Sequence, residues 1–133
     1  MTTNGYETYK QNSVTTVSPG KLLLMAYDGA IKFCKMTDES LSNNDFSGLN
    51  EYGNRAIAIV CELISTLRDD VDPVLAQRLK SLYTYIIDKI SESILLADPS
   101  GVNEAEKILK ELRETWAQAE ESLRNESLKE AAA

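Results

Sequence analysis

Histidine is absent from all 133 residues of this sequence. Ser-His-Asp triads, Cys-His pairs and the Glu-x-x-His sites of di-iron bundles are therefore excluded, and so is histidine phosphotransfer. The carboxylates follow helix faces expected to be solvated, and neither a nucleophile–base pair nor a glycine-rich phosphate loop accompanies them. The sequence thus predicts no catalytic residue, no metal site and no cofactor, and we expect a binding protein rather than an enzyme.

Basic residues and long apolar runs are both scarce. The chain carries 14 lysines and arginines against 21 acidic residues, a net charge of −7, whereas nucleic acids and anionic membranes bind clustered positive charge. No apolar run approaches the roughly 20 residues of a membrane-spanning helix, and the polar N-terminus has no hydrophobic signal core. We therefore expect a cytoplasmic protein with neither a nucleic-acid partner nor an inserted membrane segment.

Only two cysteines are present, Cys34 and Cys61. Cytosolic thiols are kept reduced, and both residues lie on apolar faces of predicted helices, where cysteine commonly acts as a small buried hydrophobe. In an antiparallel helix pair that turns near residue 44, the two positions differ in height by about 10 Å, which is too far for a disulfide. The sequence predicts two free, buried thiols.

Proline is also rare, and its three occurrences mark helix boundaries. Ser18 and Asp72 each precede a proline, which is the pattern of a capped helix start. The third proline and Gly101 form the clearest break in the chain, and a fourth helix is predicted to begin after Asn103. Between these boundaries apolar residues recur at steps of three and four, which predicts four amphipathic helices.

Four such helices with short links predict an all-α fold, an antiparallel up-down-up-down four-helix bundle. We assign residues 18–127 to the bundle, residues 1–17 to a flexible N-terminal arm and residues 128–133 to a disordered tail. The predicted core seams of the four helices contain, in chain order, Leu23, Tyr27, Ala30, Cys34 and Leu41; Leu49, Ala56, Val60, Leu63 and Leu67; Leu75, Leu79, Leu82, Ile86 and Ile90; and Ala105, Leu109, Leu112, Trp116, Ala119 and Leu123.

The first helix has more apolar surface than one seam requires. A second apolar stripe lies beside the seam, and Leu24 and Met25 fall outside both. Either the second stripe packs against another helix of the same bundle, or it stays exposed and a partner covers it. The next two helices show a similar surplus, whereas the fourth does not. The surplus positions are Leu22, Ala26, Gly29, Phe33 and Met36, then Ile57, Cys61 and Ile64, then Tyr83, Ile87 and Ile94.

The N-terminal arm is polar, yet it carries two aromatic residues, Tyr6 and Tyr9. Two interpretations of these tyrosines are open. In one, the arm docks in an apolar groove of the bundle until a binding partner displaces it, because aromatic rings in an otherwise disordered segment favour docking. In the other, the arm is a frayed terminus whose tyrosines have no partner.

Three segments of the chain together resemble the FliS family of flagellar secretion chaperones. They are YETYKQNSVTTVSPGKLLLMAYDGAIKF at residues 6–33, LKSLYTYI at residues 79–86 and LRETWAQA at residues 112–119. The resemblance implies a four-helix bundle that binds the disordered C-terminal segment of flagellin in hydrophobic grooves. It further implies that the bundle prevents premature filament polymerisation, and that an export gate component recognises the complex.

The resemblance also implies which side chains contact flagellin. Trp116 matches the family pattern as well, but its place in a regular seam favours a core role. Two departures from the family pattern are Ala26, where a larger aliphatic residue is usual, and the connection at residues 67–77, which lacks the usual glycine. The implied flagellin-binding residues are Tyr6, Tyr9, Leu22, Leu23, Met25, Tyr27, Asp28, Leu82 and Tyr83.

Alternatives to a flagellin chaperone remain open on the residues alone. A helical adaptor or regulatory protein would use the same grooves for a different amphipathic client. A homodimer would bury the surplus surface against a second copy, and we expect either a monomer or a weak homodimer. Asp28 is the single acid within the apolar stretch of the first helix, and a hydrogen bond to a cap or to the arm explains it better than catalysis does.

Overall fold

The computed structural model describes residues 18–132 as four helices, and no strand occurs within that range. Because short links join the helices, consecutive helices run antiparallel. Helix α1 packs against α2 and α4, and α3 packs against the same two helices, so that α1 and α3 lie diagonally across the core. The predicted antiparallel four-helix bundle is confirmed. The helices are α1 (Pro19–Ser42), α2 (Phe46–Ser65), α3 (Pro73–Leu96) and α4 (Pro99–Ala132).

Three helices begin at a capping side chain, and two of these caps, Ser18 and Asp72, are predicted from the sequence. Ser18 Oγ accepts a hydrogen bond from the Lys21 amide at 3.2 Å, and Asp72 Oδ1 accepts one from the Leu75 amide at 3.1 Å. Asp45 caps α2 in the same way. These side chains satisfy amides that have no partner within the helix, and the prolines at the starts of α1 and α3 have no amide to satisfy.

Helix α4 begins at Pro99, several residues before the predicted start after Asn103. Asp98 Oδ1 accepts a hydrogen bond from the Ser100 amide at 2.9 Å, which explains how the first turn is capped. Gly101 does not break the helix. It lies against α3, where a Cβ atom would overlap the Lys89 carbonyl oxygen, so the glycine permits a close approach of the two backbones.

The C-terminal end of α4 also differs from the prediction. Residues 128–132, expected to belong to a disordered tail, continue the helix to Ala132. Leucine, lysine, glutamate and alanine are all strong helix formers, and Lys129 in the last turn complements the negative end of the helix dipole. Residue 133 and the predicted arm at residues 1–17 lie outside the described part of the chain.

The core follows the predicted seams through the middle of the bundle but not at one end. Seam residues such as Ala30, Val60 and Leu109 are buried, whereas Leu75 and Leu123 are 45% and 61% exposed. Both exposed residues lie at the end of the bundle where α1 begins. The fully buried cluster consists of Tyr27, Ala30, Ile31, Cys34, Ala56, Val60, Leu63, Tyr83, Ile86, Ile90, Val102, Ala105 and Leu109.

The two cysteines have different environments. Both are free thiols, but only Cys34 is buried. The prediction that Cys61 is buried is wrong, because Cys61 follows the seam residue Val60 and the helical rotation of one residue turns it outward. Burial raises the pKa of the Cys34 thiol from 9.0 to about 12.

Two further features concern residues 18–132 only. None of the helices in this range is both long and apolar enough to cross a membrane. The same residues contain no cluster of three or more cysteine, aspartate or glutamate side chains placed to hold a metal ion.

Candidate functional site

Two apolar grooves flank the first turns of α1. The groove between α1 and α2 has a volume of about 420 Å³, and the groove between α1 and α4 has a volume of about 310 Å³. Pro19 and Leu23 line both grooves, so the two lie back to back across one helix. The first groove is completed by Leu22, Ala26, Glu62, Leu63 and Thr66, and the second by Gly20, Trp116, Ala119, Glu120 and Leu123.

Several large apolar side chains in and beside these grooves remain accessible to solvent. Leu22 in the α1–α2 groove is 51% exposed, and Leu23, which lines both grooves, is half-buried. Next to them on α1, Met25 is 61% exposed and Leu24 is half-buried, although neither lines a groove. Covering a large aliphatic side chain completely stabilises a protein by roughly 1.5–3 kcal/mol. The grooves therefore offer a binding energy that the bundle does not use for its own folding.

Trp116 forms part of the wall of the α1–α4 groove and is anchored in the core. Its indole Nε1–H donates a hydrogen bond to the Tyr27 hydroxyl at 3.0 Å. The Tyr27 hydroxyl is also hydrogen-bonded to the hydroxyl of Tyr83 on the diagonally opposite helix. The two tyrosine rings lie 6.5 Å apart between centroids and are tilted by 46°. Burial raises the pKa of both phenols above the ordinary value.

This arrangement places two of the predicted contact residues in the core. Tyr27 is completely buried and Tyr83 is 2% exposed, so neither ring offers a surface to a partner. Their hydroxyls meet inside the bundle because α1 and α3 face each other diagonally. Leu82, a third predicted contact residue, is half-buried and packs against the core cluster on α3, away from both grooves.

Two polar contacts join α1 to α4 beside their shared groove. Ser18 Oγ donates a hydrogen bond to Glu120 Oε1 at 2.8 Å. Further along, Arg113 donates two hydrogen bonds to Asp28, at 2.8 and 3.3 Å, and the carboxylate raises the pKa of Arg113. Asp28 therefore has an arginine of α4 as a partner, while the arm, to which a hydrogen bond was also expected, lies outside the described residues.

A third groove lies on the opposite side of the molecule, between α2 and α3. It has a volume of about 300 Å³ and is lined by apolar residues that the sequence marks as surplus, Ile57 and Ile94, together with Leu95. Phe33, another surplus residue, stacks on Tyr52 at a centroid distance of 6.3 Å. Part of the surplus apolar surface thus packs between helices of the bundle, as one of the two interpretations expects.

The structure brings together three of the predicted contact residues and separates the others. Leu22, Leu23 and Met25 gather at the start of α1, whereas Tyr6 and Tyr9 lie outside the described residues. The groove residues that α2 and α4 contribute were not predicted as contact residues. Their signal in the sequence is the continuation of the core seams to the helix ends, where Ala119 and Leu123 line a groove opposite α1 and stay exposed.

Comparison with known proteins agrees with the resemblance seen in the sequence. Residues 2–123 match the family model described as "Flagellar protein FliS". The chain is 32% identical over 123 residues to the flagellar secretion chaperone FliS of Bacillus subtilis, covering 92% of this chain and 91% of that protein. It is 33% identical over 111 residues to the protein of the same name from Campylobacter jejuni, covering 84% and 87% of the two chains. The corresponding protein of Salmonella typhimurium is 28% identical over 122 residues, which cover 88% of this chain and 90% of that one. From the match along nearly its whole length, we conclude that the chain belongs to the FliS family of flagellar proteins.

Proposed function

We propose that this protein holds the disordered C-terminal segment of flagellin in the two apolar grooves beside the first turns of α1. Membership in the FliS family makes it a flagellar secretion chaperone, which acts by binding and not by catalysis. We place it in the cytoplasm, where it prevents premature polymerisation of flagellin and presents the complex to an export gate component. Neither nucleic acid nor a membrane is part of this function.

The observation that carries the proposal is the exposure of apolar side chains on both sides of α1. Leu22 and Met25 are more than half exposed, and the seam residues Leu75 and Leu123 are uncovered at the same end of the bundle. Solvent-exposed apolar side chains gathered at preformed grooves are typical of an interaction surface. A client that lies across α1 would cover the side chains of both grooves together.

The chemistry of the grooves suits a client that becomes ordered as it binds. An amphipathic client helix places apolar side chains at steps of three and four into a groove. A disordered segment loses conformational entropy on binding, so it needs a large contact area. Two grooves that share Leu23 provide a larger continuous area than either one alone. Met25 adds a flexible side chain that adapts to the shape of its partner.

The N-terminal arm has a place in this proposal. The arm joins the bundle at Ser18, which is hydrogen-bonded to Glu120 at the rim of the α1–α4 groove. Tyr6 and Tyr9 precede this point by about ten residues of chain, which is a reach of about 30 Å when extended. We propose that these tyrosines contact the grooves, or the client within them, and that the client displaces the arm.

The test is a calorimetric titration with a synthetic flagellin C-terminal peptide. Leu22→Asp, in the α1–α2 groove, and Met25→Glu, on the exposed face of α1 beside that groove, should each weaken binding by at least about 100-fold, because each places a charge where the client would be desolvated. The matched control is Leu128→Asp, since Leu128 is as exposed as Met25, 62% against 61%, but lies on α4 beyond Leu123, the last residue that lines a groove. Circular dichroism should show the same helix content in all three variants.

Three outcomes would contradict the proposal. Unchanged affinity of the Leu22 and Met25 variants would exclude these grooves as the flagellin site. Equal binding of an unrelated amphipathic peptide would favour an adaptor for another client. Light scattering that showed a stable dimer of the free protein, dissociated by Met25→Glu, would mean that a second copy covers the grooves.

A further inference from the structure

The hydrogen bond between Trp116 and Tyr27 lies between the groove surface and the core. Trp116 is the single tryptophan of the chain, and its half-buried ring lines the α1–α4 groove. Tyr27 is completely buried. This hydrogen bond therefore joins a residue that lines the groove to a residue that has no contact with solvent.

The direction of this hydrogen bond limits how the indole can be placed. An indole N–H is a donor only, and a partly buried one needs an acceptor. The Tyr27 hydroxyl is that acceptor at 3.0 Å, and Tyr83 holds the hydroxyl in turn from the opposite helix. The torsion that turns the indole plane has a broad energy profile of its own. The hydrogen bond to Tyr27 is thus what selects one orientation of the ring.

We infer that Tyr27 is a positioning residue for client binding, acting through the orientation of Trp116. With the acceptor in place, the indole N–H points into the core and the ring forms the side of the 310 Å³ groove. Without the acceptor, the N–H turns towards water and the ring enters the groove that the client needs. This inference rests on the proposed function, because it assigns the α1–α4 groove to the same flagellin segment.

The experiment compares two substitutions that each remove one buried phenol oxygen. Tyr27→Phe removes the acceptor that lies 3.0 Å from the indole nitrogen, whereas Tyr83→Phe removes the bond between the tyrosines and keeps that acceptor. Both variants lose a hydrogen bond in the core, so urea unfolding should show similar losses of stability. Trp116 fluorescence with acrylamide quenching reports the exposure of the indole in the free protein. Calorimetry with the flagellin peptide reports client affinity.

We expect Tyr27→Phe to raise acrylamide quenching of Trp116 and to weaken peptide binding roughly tenfold. Tyr83→Phe should leave quenching unchanged and affinity within roughly twofold of the original protein. Equal quenching and equal affinity in the two variants would overturn the inference, because the tyrosines would then matter only for stability. Changed quenching with unchanged affinity would overturn it also, since the ring orientation would not concern the client.

The same experiment separates this inference from the proposed function. If the original protein binds no flagellin peptide, the proposed function fails. The quenching measurement needs no client, and it still decides whether Tyr27 sets the orientation of Trp116.

Discussion

The two ends of this bundle differ in how closely neighbouring helices approach one another. At the open end, where α1 begins and α2 finishes, two grooves flank α1 and Met25 is 61% exposed. At the closed end, where α1 finishes and α4 begins, buried small residues bring the helices together. Ser93 Oγ there accepts a hydrogen bond from the buried Val102 amide at 2.7 Å, and Gly101 lies against the α3 backbone.

The difference shows how one fold separates stability from binding. Gly101 allows the backbones of α3 and α4 to approach closely at the closed end. At the open end, the bulky side chains of Leu23 and Trp116 line a groove between α1 and α4. We therefore expect the close contact of α3 and α4 to stabilise the fold, and we expect the side chains that line the open-end grooves to contribute less.

The largest expected contrast comes from removing large apolar side chains in the two regions. Ile90 is completely buried on α3, so Ile90→Ala should lower the free energy of unfolding by about 2–5 kcal/mol. Met25→Ala at the open end should change it by less than about 0.5 kcal/mol. Urea denaturation followed by circular dichroism measures both values. Comparable losses in the two variants would mean that the open end also stabilises the fold.

A pair of glycine substitutions sharpens the same comparison. Gly101→Ala places a Cβ atom against the Lys89 carbonyl oxygen, a backbone atom that cannot move alone, and should cost about 1–3 kcal/mol. Gly20→Ala places its Cβ atom against the Glu120 carboxylate, which can rotate away. Since alanine is favoured over glycine within a helix by about 1 kcal/mol, the Gly20 variant should be neutral or stabilised. If Gly20→Ala were destabilised and Gly101→Ala were unaffected, the close helix packing would belong to the open end and not to the closed end.

Alkaline pH should destabilise the buried core. The Cys34 thiol has its pKa raised from 9.0 to about 12, so above pH 9 the unfolded chain releases a proton that the folded chain retains. The contribution of Cys34 to the free energy of unfolding should be constant below this pH, and it should fall by about 1 kcal/mol per pH unit as the pH rises towards 12. The raised pKa of Tyr27 adds a further fall from about pH 10.

The control for the alkaline effect is Cys34→Ala. Between about pH 8.5 and pH 9.5, where the phenols are still mostly protonated in the unfolded chain, this variant should show little pH dependence in urea unfolding. A slope equal to that of the original protein would show that another group is responsible.

The smallest expected effect concerns the ion pair between Asp28 and Arg113. The two side chains are 54% and 36% exposed, and a pair so accessible to water contributes at most about 1 kcal/mol. Asp28→Asn should therefore lower stability slightly, and less so at high salt. A double-mutant cycle with Arg113→Gln isolates the pairwise energy. A coupling above about 2 kcal/mol would show that the pair is a structural lock on the α1–α4 seam.

The middle of the bundle could be predicted from the sequence because local patterns determine it. The steps of three and four placed Ala30, Val60 and Leu109 in the core, and the Ser18 and Asp72 caps marked helix starts. The start of α4 could not be predicted in the same way. A glycine in the sequence predicts a break in the helix. Only the position of the α3 backbone shows that Gly101 instead allows α3 and α4 to approach each other closely.

The candidate site could be predicted only in part. The excess of apolar residues on α1 pointed to Leu22 and Met25, which the structure exposes. Periodicity does not show how far along a helix the seam is covered by its neighbours, so it predicts a core position for Leu123, which lines an open groove and is 61% exposed. The family pattern included Tyr27 and Tyr83, and their burial follows from a diagonal contact that only the packed bundle shows.

The most direct test of client binding at the start of α1 is methyl NMR of the protein titrated with the flagellin C-terminal peptide. We predict large shifts for the methyl groups of Leu22, Leu23 and Met25, and unchanged resonances for Ile90 and Val102. Shifts confined to the α2–α3 groove, at Ile57 and Leu95, with Leu22 and Met25 unaffected, would contradict this prediction.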